Sequence, residues 1–349
     1  MDKIGIVGAG AWGTALAIAA TRAGRTPTLW AHEAETVDAI NRQRRNPTFL
    51  PGIELPATVT ATRDLAKVAA AELILLAVPA QHLRAVCRAL APHWPAGVAA
   101  AICAKGIEIG SGALMTEVVA EALPNAAAAV LSGPTFAIEV ARNQPTAIVL
   151  AGADLALAKR IAAAIGSSRF RPYASDDPIG ATIGGAVKNV LAIACGVVEG
   201  RALGDNARAA LITRGLAELS RLVVAKGGKA ETCMGLSGLG DLVLTASSPQ
   251  SRNYGLGFGL GQGKRLADLL AARHDVTEGV ATAPAVLGLA ERVGVELPVC
   301  AAVAGLLRDE VTVDETIEAL LARPFKNEQV GGSEQLGSAG GPIEGDKKP

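Results

Sequence analysis

The residues whose types and spacing carry chemistry begin with Gly8-Ala9-Gly10-Ala11-Trp12-Gly13, directly after the apolar run Ile4-Gly5-Ile6-Val7. A dinucleotide cradle demands glycine at three such points. Gly8 makes a tight turn, Gly10 lets a pyrophosphate approach the backbone, and Gly13 allows close helix–strand packing. The helix that follows offers unpaired N–H groups and its positive end to the phosphates. A lone G-x-G-x-x-G is weak, but a strand before it and a helix after it supply the confirming context.

Lys188-Asn189 is a second such place, set inside Ile183-Gly184-Gly185-Ala186-Val187-Lys188-Asn189-Val190-Leu191. An ammonium in so apolar a helix must be paired, or must line a cavity with a lowered pKa. A lysine tuned in that way shuttles a proton to and from an alcohol or carbonyl oxygen. A buried structural ion pair is the bland alternative. Lys105, in Cys103-Ala104-Lys105-Gly106, and the turn Ser132-Gly133-Pro134-Thr135-Phe136-Ala137 each follow an apolar run, where the rim of a site belongs. A second glycine-rich stretch, Gly235-Leu236-Ser237-Gly238-Leu239-Gly240-Asp241, ends in an acid, and Ser251-Arg252-Asn253 follows it. Arg252 with Asn253 offers a planar donor fork and an amide for a phosphate or carboxylate. Gly257–Lys264 looks like a phosphate loop but fails the test, because Phe258 holds the first glycine position and Arg265 replaces the hydroxyl after the lysine.

The elements that must hold these residues can be read from the same string. Lys3–Val7 reads as a buried strand, followed by the glycine loop and a helix from Thr14 that stops at Gly24. Thr28–Trp30, Leu73–Val78, Val98–Cys103, Ala128–Leu131 and Ala147–Leu150 are further short apolar runs, and the second of these is closed by Pro79. Strands alternating with helices imply an α/β fold with a doubly wound Rossmann-type sheet and its ligand at the strands' carboxyl ends. From about Ile179 the texture becomes Ala/Leu/Val-rich over 179–200, 207–226 and 280–293, which predicts an all-helical C-terminal domain. The expected organisation is a dinucleotide-binding domain over 1–177, a helical substrate domain over 178–326, and a disordered Gly/Ser/Glu/Lys-rich tail over 327–349.

Composition excludes several classes. The 349 residues carry 33 basic and 33 acidic side chains, so neither a nucleic-acid footprint nor a polybasic membrane patch is expected. Arg42, Arg44 and Arg45 form one tight basic cluster, and its plain reading is a solvated face. Five cysteines without a C-x-x-C pair suit free thiols in a reducing cytoplasm. Four histidines without H-x-x-x-H spacing give no support for a metal site. Residues 4–20 are apolar enough to resemble a secretory segment, but the glycine spacing and Asp2 argue against it. Lys188 and Asn189 likewise argue against a membrane span over 179–198. The cofactor's adenosine end is divided. His32 at the tip of the second strand, with the nearby arginines, tolerates a ribose 2′-phosphate, and Glu33 opposes one. The balance favours NADPH over NADH.

Taken together, these motifs resemble the bacterial-type NAD(P)-dependent glycerol-3-phosphate dehydrogenases over roughly residues 3–325. They include Gly8–Gly13, Leu131–Ala137, Gly184–Val190, Asn206-Ala207-Arg208 through Leu211-Ile212-Thr213-Arg214-Gly215, Gly238–Leu242 and Ser251–Asn253. The resemblance implies reversible hydride transfer to C2 of dihydroxyacetone phosphate, giving sn-glycerol 3-phosphate for glycerophospholipid synthesis. It assigns Lys188 as general acid/base, Lys105 as its assistant at the same oxygen, and Asp241 as the residue that holds the lysine. By the same resemblance Gly133, Thr135, Asn189, Thr245, Ser251, Arg252 and Asn253 join these three at the substrate. Gly8, Gly10, Ala11, Trp12, Gly13, His32, Lys105, Ala137, Arg252, Val276 and Glu278 contact the cofactor. Ala11 and Ala104 depart from the Ser and Thr common in that family. A homodimer, a small phosphorylated substrate and a cytoplasmic location are implied as well. Two other readings keep the first domain: a β-hydroxyacid or 6-phosphogluconate type dehydrogenase, and a cofactor-sensing binding protein without turnover. The first lacks a reason for Ser251-Arg252-Asn253, and the second leaves Lys188-Asn189 without a purpose.

Overall fold

The computed structural model describes residues 1–272 and 276–324. His274 and the tail from 327 lie outside the described residues. Ten strands run β1 Lys3–Val7, β2 Thr26–Trp30, β3 Arg45–Asn46, β4 Leu50–Glu54, β5 Thr60–Thr62, β6 Leu73–Leu76, β7 Ala99–Ile102, β8 Ala127–Ser132, β9 Thr146–Ala151 and β10 Phe170–Ser175. Eight of them form one sheet in the order β10-β9-β8-β7-β6-β1-β2-β5, and β3 pairs with β4 in a separate hairpin.

Strands buried on both faces read as continuous apolar runs. In β6, Leu73 and Leu75 enter the core on one side of the sheet, and Ile74 and Leu76 enter the core on the other. The helix Ala11–Arg22 covers the first side with an unbroken buried run from Gly13 to Ala20, and its small side chains let it lie close to the strands. Strands β5, β2, β1, β6, β7 and β8 are parallel, so the loops after β1, β2, β6, β7 and β8 leave from one edge. β9 runs antiparallel to β8, with Leu131 opposite Leu150. The three-residue β5, the strand β10 and the 45–54 hairpin lie outside the apolar runs that the sequence marks as strands. β5 is too short to stand out, β10 contains Pro172 and mixes polar with apolar residues, and the hairpin runs through Pro47 and Pro51.

The helical half is organised on Pro178–Gly200, which starts at the N-cap Asp177 and is buried from Gly180 to Val197. By length and composition this helix could cross a membrane, but 94% of its most apolar window is buried inside the molecule. Asp205–Ala225, Arg252–Gly261, Glu278–Arg292 and Pro298–Leu307 surround it. Its contact with Arg252–Gly261 is made by glycines on both sides. A Cβ on Gly257 would strike the Ile193 carbonyl, and one on Gly196 would strike the Tyr254 carbonyl. The 257–264 run that resembled a phosphate loop is therefore, in part, a packing stripe that brings two helix backbones together.

Candidate active site

Lys188 leaves the apolar helix toward Asp241, donating to Asp241 Oδ1 at 2.7 Å and to Thr245 Oγ at 2.8 Å. The other carboxylate oxygen, Oδ2, accepts from Lys105 Nζ at 2.6 Å, and Lys105 also donates to the Gly133 carbonyl at 3.0 Å. One fully buried carboxylate thus bridges two ammonium groups, one from the sheet half and one from the helical half. The Lys188 pKa comes to rest at about 8, with burial the largest cause of its fall. Asp241 pulls it upward, and the charges of Lys105 and Arg252 add to the lowering. At neutral pH such a lysine is mostly protonated and close to giving the proton up.

The glycine-rich stretch before Asp241 explains how the acid gets there. Leu236–Gly240 forms a π-turn, a local widening found often at functional sites. It packs backbone to backbone on the Lys188 helix, because a Cβ on Gly184 would strike the Ser237 carbonyl. A Cβ on Gly185 would strike Ser132 Oγ at 2.7 Å and lie 3.4 Å from Lys105 Cγ. The two glycines one turn before Lys188 therefore admit Asp241's segment on one side and the Ser132 hydroxyl, with Lys105 beside it, on the other.

Asn189, the next residue on the helix, turns elsewhere. Its Oδ1 accepts from Asn253 Nδ2 at 2.9 Å, while Asn253 Oδ1 accepts the Gly279 N–H at 2.9 Å. This chain of amides ties the Lys188 helix to the starts of two others. Ser251 caps one of them, its Oγ accepting from Tyr254 N at 3.2 Å. Arg252 is exposed beside it, and its charge reaches both Lys188 and Glu278. Thr135 Oγ donates back to the Gly133 carbonyl at 3.3 Å.

The loop after β1 has the shape a dinucleotide requires. Gly8 adopts φ +117°, and a Cβ on Gly13 would collide with the Gly8 carbonyl. A Cβ on Gly10 would meet no atom of the described residues within 4 Å, so no neighbour among them demands glycine there. Two buried polar atoms add to this fit. Trp12 Nε1 and Glu278 Oε2 have no partner among the described residues, and such groups normally find one. Glu278 Oε1 accepts the Ala80 N–H at 3.0 Å, and burial raises the carboxyl's pKa.

The N-terminal model of the NAD-dependent glycerol-3-phosphate dehydrogenases matches residues 3–158, and the C-terminal model matches residues 177–318. The chain is 59% identical to the NAD(P)+ glycerol-3-phosphate dehydrogenase of Caulobacter vibrioides, over 94% of this chain and 99% of that one. It is 57% identical to the Rhodospirillum rubrum protein of the same name, over 96% and 95%. The crystal structure of glycerol-3-phosphate dehydrogenase from Coxiella burnetii superposes with a TM-score of 0.89 at 40% identity, covering 92% of this chain and 99% of that one. The chain belongs to the NAD-dependent glycerol-3-phosphate dehydrogenase family.

In this glycerol-3-phosphate dehydrogenase family member, the hydrogen bonds of Lys188 and Lys105 described above involve none of the remaining candidates. His32 is exposed just past the tip of β2, its ring 6.2 Å from that of Trp30. Ala11 and Ala137 each begin a helix, and Val276 is 46% exposed just before the Glu278 helix. Arg42 pairs with Asp38 and Arg44 donates to the Val59 carbonyl, while Arg45 is exposed at the start of the hairpin. The five cysteines are all buried and free. No cluster of three metal-ligating side chains occurs among the described residues. Sequence reasoning missed Asp177, whose Oδ1 accepts from Gly180 N and whose Oδ2 accepts from Lys229 N and Thr232 Oγ. Asp ahead of Pro at a helix start was its only signal.

Proposed function

We propose that this chain interconverts dihydroxyacetone phosphate and sn-glycerol 3-phosphate, with NADPH preferred over NADH. The observation that carries the reading is the pair of lysines joined through one buried carboxylate, Lys188–Asp241–Lys105. The nicotinamide, when bound, supplies the hydride for C2. Gly8, Gly10 and Gly13 with Ala11 and Trp12 would hold the pyrophosphate side of the dinucleotide, and Glu278, Ala137 and Val276 its other parts.

Lys188 holds a proton at the C2 oxygen and releases it as negative charge grows there. Lys105 stabilises the same oxygen. Asp241 holds both ammonium groups toward that point, and Thr245 limits the freedom of Lys188. Arg252 with Ser251 and Asn253 receives the phosphate, and Gly133, Thr135 and Asn189 complete the substrate's surroundings. The preference for a 2′-phosphate rests on His32 and Arg45. Residues 1–177 and 178–326 act as the nucleotide-binding and substrate units, and the product supplies glycerophospholipid synthesis. A homodimer in the cytoplasm accompanies the reading, and the buried free thiols fit a reducing compartment.

The test follows oxidation of NADPH and of NADH with dihydroxyacetone phosphate, with 6-phosphogluconate and β-hydroxyacids assayed in the oxidative direction. Turnover confined to the triose phosphate couple supports the reading. Turnover only with a hydroxyacid, or none at all, sinks it.

A further inference from the structure

We infer that Asn46 is a positioning residue for the dinucleotide, acting through the carbonyl of Ala9; the inference rests on the Gly8–Gly13 loop being the cofactor cradle. Asn46 comes from the 45–54 hairpin, outside the main sheet, and is 1% exposed. Its Nδ2 donates at 2.8 Å to the Ala9 carbonyl and at 2.8 Å to Thr14 Oγ. Thr14 Oγ in turn donates to the same carbonyl at 3.3 Å. The Asn46 Oδ1 is occupied locally, accepting the Phe49 N–H at 3.3 Å. One side chain therefore closes its own turn with its oxygen and grips the phosphate loop with its nitrogen.

The consequence for the ligand follows from peptide geometry. In a trans, planar peptide the C=O and the next residue's N–H point in opposite directions. With the Ala9 carbonyl held toward Asn46, the Gly10 N–H is turned the other way. The peptide carrying it is gripped from behind, and Gly10 is the loop glycine whose missing Cβ leaves open space. A backbone donor fixed before the anion arrives costs no reorganisation on binding. Released from Asn46, the Ala9–Gly10 peptide could rotate and present a carbonyl oxygen to the pyrophosphate, which repels it.

The experiment measures NADPH binding directly, by the fluorescence change on titration, together with steady-state rates and unfolding midpoints. Asn46→Asp keeps the acceptor for Phe49 and turns the grip on Ala9 into repulsion. The expected result is an NADPH dissociation constant raised about tenfold or more. Turnover at saturating NADPH and the KM for dihydroxyacetone phosphate stay within about threefold of the parent. Thr14→Val leaves the hairpin intact and removes the hydroxyl shared by Asn46 and Ala9, and its expected loss of affinity is about threefold. An unchanged dissociation constant in Asn46→Asp overturns the inference; if that variant does not fold, an unchanged constant in Thr14→Val does the same. If the parent protein itself binds no NADPH, the cradle reading has failed, and this outcome is distinct from the others.

Discussion

Lys188 Nζ sits 2.7 Å from Asp241 Oδ1 across 53 residues of sequence, and this contact raises the pKa of a deeply buried ammonium against the pull of desolvation. Burial alone drives the Lys188 pKa down; the carboxylate opposes that and leaves it at about 8. If Lys188 is the acid of the proposed reaction, reduction of the ketone needs it protonated, so the rate should fall as pH rises through about 8. Oxidation of the alcohol needs the free amine and should rise through the same value. Asp241→Asn removes the upward pull, so the inflection should move to lower pH in both directions. Rate profiles of kcat/KM against pH check this, and an inflection that stays in place or moves upward refutes it.

Removing the lysine tests its role more bluntly. Lys188→Ala should lower turnover by about 10²–10⁴, the usual worth of positioned proton transfer. NADPH affinity, measured by fluorescence titration, should be retained. An alanine variant of undiminished turnover would end the assignment.

Arg252→Ala should act mainly on binding. Losing a charge-assisted contact to a phosphate should raise the KM for dihydroxyacetone phosphate by about tenfold or more, with a smaller change in kcat. Initial-rate kinetics at saturating NADPH separate the two constants. An unchanged KM rejects the phosphate role.

The glycines of the first loop should part company when given a methyl group. Gly10→Ala meets no neighbour among the described residues and should leave the unfolding free energy within about 0.5 kcal/mol of the parent. It should nevertheless weaken NADPH binding, because the new methyl group occupies the approach of the pyrophosphate. Gly13→Ala drives a methyl into the Gly8 carbonyl and should destabilise the fold itself. Thermal melts with and without NADPH distinguish the two behaviours.

The loop could be read from sequence because its chemistry is local: three glycines, a strand and a helix lie within a few residues of one another. Lys188 could be read for the opposite reason, since an isolated charge in a long apolar helix has few physical outcomes. The family motifs then connected it to Asp241. The link from Asn46 to Ala9 spans 37 residues and was not visible, because an Asn in a polar stretch looks like any turn residue. The antiparallel course of β9 was hidden too, since an apolar run does not encode its direction. Gly257 falls in a run that fails the phosphate-loop test on sequence alone. Its meaning lay in the helix it touches.

Gly257→Ala should therefore be costly although it lies outside the proposed chemistry. The methyl group would meet the Ile193 carbonyl, and separating two helices at backbone contact should cost about 1–3 kcal/mol. Denaturant midpoints measure this, and a variant as stable as the parent contradicts the packing described.

The bridge from Lys105 to Asp241 also bears on how this molecule can be recombined. Lys105 follows β7 of the sheet half, whereas Lys188 and Asp241 both belong to the helical half. A chimera that takes its first half from one relative and its second from another would carry a complete nucleotide cradle and a complete Lys188–Asp241 pair. It would still have to rebuild the third member of the triad across the seam, with the carboxylate oxygen 2.6 Å from an incoming ammonium. Modular exchange is thus limited at this seam by how well two separately inherited surfaces align, and not by whether either half carries its own motifs.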